Sequence, residues 1–257
     1  MWADHYVLGI EHIFDRGLKF SIEGYYKSYK KTVVGEDFVY SAIDTFWSDR
    51  NLTIGERYSY GMEIFLEQKQ VEDFFGTLSV SFSRSRMKDP RVPQRVDYFP
   101  SDYDYPVIIT ALGGKTVKGV RDWLDRAPFF VKYPSYLLPL SNEMEISFKY
   151  RYQAGRPYTP REYVLWKQDR EGGVKWSRGS WIDSKDVNSA RYTDYSRLDL
   201  QWISRFYLRT WNINVYIAMM NVFNTKNVFY ESHRSDGTKE TTYQFSFFPV
   251  GGVEVEF

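Results

Sequence analysis

Cysteine is absent from the 257 residues, which excludes a disulfide scaffold, a thiolate metal site and a cysteine nucleophile. Histidine is scarce: His5, His12 and His233 show no His-x-x-x-His spacing, so no metal motif is present. An excess of one charge is also lacking. Lys and Arg number 34 against 33 Asp and Glu, and no basic block of the kind that grips nucleic acid occurs. No apolar run approaches the roughly 20 residues that a membrane helix needs. Stretches such as Tyr216-Ile217-Ala218-Met219-Met220 are only a few residues long, which excludes a helical membrane protein but not a β-barrel. Met1-Trp2-Ala3-Asp4-His5 has neither a basic nor an apolar region of a signal peptide, and Met1 reads as a truncation point. No phosphate loop, nucleophile elbow or histidine-based triad is found. The expectation is a protein that is not an enzyme and needs no cofactor.

What the chain has in abundance is aromatic residues, 22 Tyr, 19 Phe and 8 Trp, set into period-two alternation. Successive side chains of a strand point to opposite faces, so alternation marks a strand with two unlike faces. Met144, Ile146, Phe148, Tyr150 and Tyr152 are separated by Glu145, Ser147, Lys149 and Arg151. Leu78, Val80 and Phe82 alternate with serines, and Leu198, Leu200 and Trp202 with Arg197, Asp199 and Gln201. Further faces are Leu18 to Tyr26, Tyr58 to Leu66 and Trp211 to Met219. The last, from Tyr243 to Phe257, reads as the longest. About nine long antiparallel strands are expected, joined as a meander, one of them over 127–138 despite Pro128 and Pro134.

Connections alternate in length. Asp15-Arg16-Gly17, Gln70 to Phe74, Pro139 to Asn142 and Tyr207 to Thr210 are short; 32–57, 88–128, 157–190 and 223–242 are long and polar. Aromatics gather near strand ends: Tyr26, Tyr58, Tyr60, Tyr150, Tyr152 and Tyr243 by the long loops, Phe14, Phe206, Trp211 and Phe257 by the short turns. Long strands, lopsided connections and two aromatic bands are the pattern of a transmembrane β-barrel. A soluble β-sandwich, serving as a binding or adhesion domain, alternates as cleanly and stands as the alternative.

Gly252-Val253-Glu254-Val255-Glu256-Phe257 resembles the C-terminal signal by which the barrel-assembly machinery reads outer-membrane proteins, carried by Gly252, Val255 and Phe257, although Val250 stands where a polar residue is usual. Gln153 to Pro160, with Gly155-Arg156-Pro157-Tyr158-Thr159-Pro160, is similar to the strand exit of TonB-dependent receptors. Tyr195-Ser196-Arg197-Leu198-Asp199-Leu200, Asn221-Val222-Phe223-Asn224 with Asn227, and Tyr60-Gly61-Met62-Glu63 resemble further strands of that family in order. The resemblance implies that residues 1–257 are the C-terminal portion of a receptor barrel in the outer membrane of a Gram-negative cell envelope. The family's plug, TonB box and N-terminal strands are not visible. It further implies energy-coupled uptake of a scarce nutrient such as an iron–siderophore or an oligosaccharide. Its partners would be outer-membrane lipid, the assembly machinery and the TonB complex through the missing N-terminal region. Nucleic acid is not expected.

The long segment 157–190 carries Tyr158, Tyr163, Trp166, Trp176 and Trp181 together with Arg161, Arg170 and Arg178. Exposed rings beside Arg are the residue types that anchor a ligand. Tyr158, Trp166, Trp176, Trp181 and Arg161 are the candidate contacts with a small molecule or glycan.

Overall fold

The computed structural model describes residues 2–35, 51–71, 73–90, 97–169 and 175–257. The chain runs β1 (Trp2–Ile13), β2 (Leu18–Gly35), β3 (Asn51–Val71), β4 (Phe74–Lys88), β5 (Phe99–Pro100), β6 (Val107–Lys118), α1 (Val120–Asp125) and α2 (Phe129–Ser135). It continues through β7 (Glu143–Gln153), β8 (Pro157–Tyr158), β9 (Arg161–Asp169), β10 (Lys175–Asp183), β11 (Ala190–Arg191) and β12 (Tyr195–Tyr207). It ends with β13 (Asn212–Met220), β14 (Val228–His233), β15 (Lys239–Tyr243) and β16 (Phe248–Glu256).

One large antiparallel sheet dominates, in the order β1-β2-β3-β4-β6-β7-β12-β13-β16, with β5 added to β4. Its strands follow one another in chain order, so the expected meander is present, and among the described residues the crossed connections of a two-sheet sandwich are not. The path is open: its outer strands, β1 and β16, run in the same direction and are not paired with each other.

Register turns nine separate alternations into two continuous faces, because directly opposed residues point the same way. Ile10, Ile22, Ile64, Val80 and Ile109 lie directly opposite one another across five strands. Phe148, Leu200, Met219 and Pro249 do the same across four more. Ile146, Ile213, Val215, Val253 and Val255 share that apolar face, and Glu145, Lys149, Asp199 and Gln201 occupy the other. The polar face is laced with ion pairs, Arg205 to Glu145 at 2.7 Å and Arg197 to Asp199 at 2.7 Å.

The apolar face has no covering layer among the described residues. Phe99, Leu124 and Met144 are the buried hydrophobics, while Leu8 is 81% exposed and Val253 65%. A water-soluble domain of this length buries most of its apolar side chains in a core. Tyr6, Tyr26, Tyr58 and Tyr60 form a row of rings toward the long connections, spaced 6.5, 6.4 and 6.3 Å. At the opposite end Trp211 meets Phe257 edge-on at 5.9 Å.

Three expectations need correction. The fifth strand is β6, inside what reads as the long loop 88–128, whereas 127–138 forms α2 and the turn after it. Pro139 to Asn142 is therefore no short turn but the end of a helical connection on the short-turn side. The final strand begins at Phe248; Tyr243 closes the separate β14–β15 hairpin, so β16 has 9 residues against 21 in β3.

Four glycines in the sheet sit beneath aromatic rings of the adjoining strand. Tyr25 opposes Gly61, Phe75 opposes Gly114, Phe148 opposes Gly113 and Tyr216 opposes Gly252. A Cβ on Gly113 would come within 2.9 Å of the Phe148 ring, and one on Gly114 within 2.5 Å of Phe75. The ring fills the space that glycine leaves, a known means of stabilising glycine in a sheet.

Candidate ligand-binding site

At the long-connection end, strand β7 leaves the sheet through Ala154, Gly155 and Arg156. Asp194 clamps the exit, accepting from the Gly155 N–H at 2.9 Å and from the Tyr152 hydroxyl at 2.6 Å. The Tyr192 carbonyl lies so close that any side chain at position 155 would collide with it. Arg191 donates to the Gly155 carbonyl at 2.9 Å and the Asp104 carbonyl at 2.6 Å, and pairs with the Asp104 carboxylate. That carboxylate is wholly buried and also accepts from the Ser85 N–H at 2.7 Å. Asn188, buried and left-handed at φ 53, donates to the Pro100 carbonyl and to Asp102, both at 2.8 Å. Three connections are thereby fastened together, and Pro157–Tyr158 is held against Ala190–Arg191 as a short ladder.

The β9–β10 hairpin leans on the β14–β15 hairpin. The Trp181 indole N–H donates to the Arg234 carbonyl at 2.7 Å, and its ring meets His233 edge-on at 4.5 Å. The Tyr163 hydroxyl donates to the Ser235 carbonyl at 2.6 Å. Arg161 pairs with Asp183 across β9 and β10 at 2.6 Å.

Between these parts lies a cavity of about 540 Å³ whose walls include Tyr158, Tyr192, Arg156, Arg161, Glu231 and His233. The Tyr158 and Tyr192 rings pack at 4.4 Å, with Arg156 over the latter and Lys239 over the former. A second cavity of about 380 Å³ shares Arg156 and Tyr192 and is lined by Arg151 and Gln153 of the polar face. Burial pushes the His233 imidazole below its ordinary pKa, and Arg161 and Lys239 add to the fall. The site thus joins aromatic faces to cationic and carboxylate groups, a combination that can stack against a flat or ring-shaped polar ligand and hydrogen-bond its edge.

Of the candidate contacts, Tyr158 and Arg161 come together in this cavity. Trp181 does not line it. Its N–H is taken by Arg234, and its ring supports His233 from behind. Trp166 and Trp176 lie further along the hairpin, in register with Arg178 and Gln168; their side chains, like that of Arg178, lie outside the described residues, as does Arg170. Tyr192, Arg156, Glu231 and His233 escape sequence reasoning because they come from segments far apart in the chain. The cue that was available is Tyr192 standing three residues ahead of the Tyr195 strand motif.

The C-terminal residues have separate roles. Val255 and Phe257 extend the apolar face, whereas Gly252 is on the polar face under the Tyr216 ring. Compared with known proteins, the chain matches no family model and no curated protein.

Proposed function

We propose that this chain is the C-terminal part of the barrel wall of a TonB-dependent outer-membrane receptor that takes up a scarce nutrient such as an iron–siderophore or an oligosaccharide. The apolar face carries this reading. It continues across nine strands, it has no protein layer against it among the described residues, and aromatic rings border it at both ends. Water is the wrong neighbour for such a surface, and hydrocarbon bordered by headgroups is the right one. The polar face then lines a wet interior, where charges pair or stay hydrated. The cavity with Tyr158, Arg161 and His233 lies at the end that faces the outside of the cell, and Phe257 lies at the end where the assembly machinery acts.

The test has two arms. The protein should fractionate with the outer membrane and need detergent for extraction. Arg in place of Phe148 should lower the stability of the embedded protein by ~2–4 kcal/mol, while Arg in place of Gln201 costs little. Recovery in the soluble fraction, or equal tolerance at both positions, overturns the proposal.

A further inference from the structure

The connection between β6 and β7 departs from the other turns at its end of the sheet. Four residues, Phe14 to Gly17, link β1 to β2 there, whereas Gly119 to Asn142 builds a two-helix lobe. Its neck is tied shut. The Gly119 N–H donates to the Asn142 carbonyl at 2.8 Å. The Asn142 amide and Asp122 exchange two hydrogen bonds, each of 3.0 Å. Gly119 adopts φ 73, which turns the chain out of the sheet into α1.

Within this lobe the usual arrangement is reversed. Its polar groups bond to one another: Asp125 accepts from Arg121 at 3.1 Å and from the Tyr136 hydroxyl at 3.1 Å, and the Lys132 ammonium donates to the Asp125 carbonyl at 3.2 Å. Arg121 also lies over the Tyr136 ring at 3.9 Å. Leu124 is its one buried apolar side chain among those of α1 and α2, and its largest apolar groups are outside. Trp123, Phe129, Phe130, Tyr133 and Leu137 are all exposed, Leu137 by 87%. The lobe has two sides. Arg121 and Asp122 line an open cavity together with Lys118, Glu143 and Arg205 of the polar face; Tyr136, Leu138, Leu140 and Phe206 line it too, whereas the five exposed apolar residues named above lie outside it. The lobe joins the sheet at the same end as Phe206, Trp211 and Phe257, which stand on the apolar face one, two and three strands away from β7.

We propose that the α1–α2 lobe is a membrane-interface foot, with Trp123, Phe129, Phe130, Tyr133 and Leu137 seated in the lipid headgroup layer of the inner leaflet. This rests on the membrane reading above. The argument is continuity: the rings extend an aromatic band that already borders the apolar face. Aromatic and aliphatic groups on a short helix gain most by sinking about 5–10 Å into that boundary, and the polar network keeps the lobe's backbone and charges satisfied as they do so.

Absence of cysteine makes the test direct. Phe130→Cys, Leu137→Cys, Phe148→Cys and Lys185→Cys variants carry a nitroxide, and the purified protein is reconstituted into phosphatidylethanolamine–phosphatidylglycerol vesicles. Relative collision with oxygen and with a water-soluble nickel chelate reports depth. Labels at 130 and 137 should favour oxygen several-fold more than the label at 185, and less than the label at 148. If 148 is in lipid while 130 and 137 match 185, the foot is wrong and the membrane reading stands. If 148 also matches 185, the membrane reading itself has failed. Labels at 130 and 137 shielded from both reagents would mean a protein surface covers the lobe, which also overturns the lipid assignment.

Discussion

Gly252 shows how a residue read for one purpose serves another. In sequence it stands in a terminal motif; in the sheet it is the floor beneath the Tyr216 ring, where a Cβ would fall within 2.6 Å of the Tyr216 hydroxyl oxygen. The ring can swing away, so the penalty is the loss of a cross-strand pair, ~0.2–1 kcal/mol. Gly252→Ala should lower the unfolding midpoint accordingly and should do nothing further in a Tyr216→Ala background, as a double-mutant cycle would report. Asp104 presents the opposite case, a buried charge fixed by Arg191 and the Ser85 N–H. Arg191→Met leaves that carboxylate short of donors at a cost of ~1–3 kcal/mol, reduced to the extent that water replaces the guanidinium. Hydrogen exchange should find the Ser85 amide opening faster while the amides of β13 stay unchanged.

Among the elements, the two hairpins at the Tyr158–His233 cavity are joined through Trp181, Tyr163 and His233, and this joint should respond to acid. The His233 pKa is depressed in the folded protein below the ordinary 6.5. The neutral ring therefore contributes stability that is complete above 6.5 and is lost as pH falls through the lowered value. Acidification below 6.5 should progressively loosen the β9–β10 and β14–β15 contact, which proton exchange at the Trp181 indole would detect. His233→Gln should flatten that response.

The same scale explains where sequence reasoning succeeded. Strands with one apolar and one polar face, such as β3, β7 and β13, announced themselves by parity. β6 did not, because Val107, Ile108 and Ile109 are apolar on both faces and Gly113-Gly114 imitates a loop. The missing bulk at those glycines is supplied by Phe148 and Phe75 from the strands on either side. The stretch 127–138 misled in the other direction, since its dense aromatics suggested a strand while Pro128 and Pro134 had no ladder to interrupt. Within the cavity, Tyr158 and Arg161 were legible as residue types. Their meeting with Tyr192, Glu231 and His233 was not, because it depends on how separate loops fasten to one another.

For the whole molecule, the assembly role proposed for Phe257 can be told apart from a role in stability. Its ring is 95% exposed and touches Trp211 at the rim of the apolar face. Full burial of such a ring contributes ~1.5–3 kcal/mol, so its rim position should be worth less than that. On the proposed reading, Phe257→Ser should reduce outer-membrane yield per transcript far more than it lowers the unfolding midpoint of purified protein, whereas Phe257→Tyr should be mild. Normal yield with a lowered midpoint would make Phe257 a packing residue alone. The directions of β1 and β16 carry a further consequence. A ring in which every strand opposes both its neighbours contains an even number of strands. Nine is odd, and its two outer members point the same way, so bringing them edge to edge would create one parallel seam. Any wholly antiparallel closure must insert an odd number of additional strands between them. A single extra strand, whatever its source, would satisfy the count, and two never would.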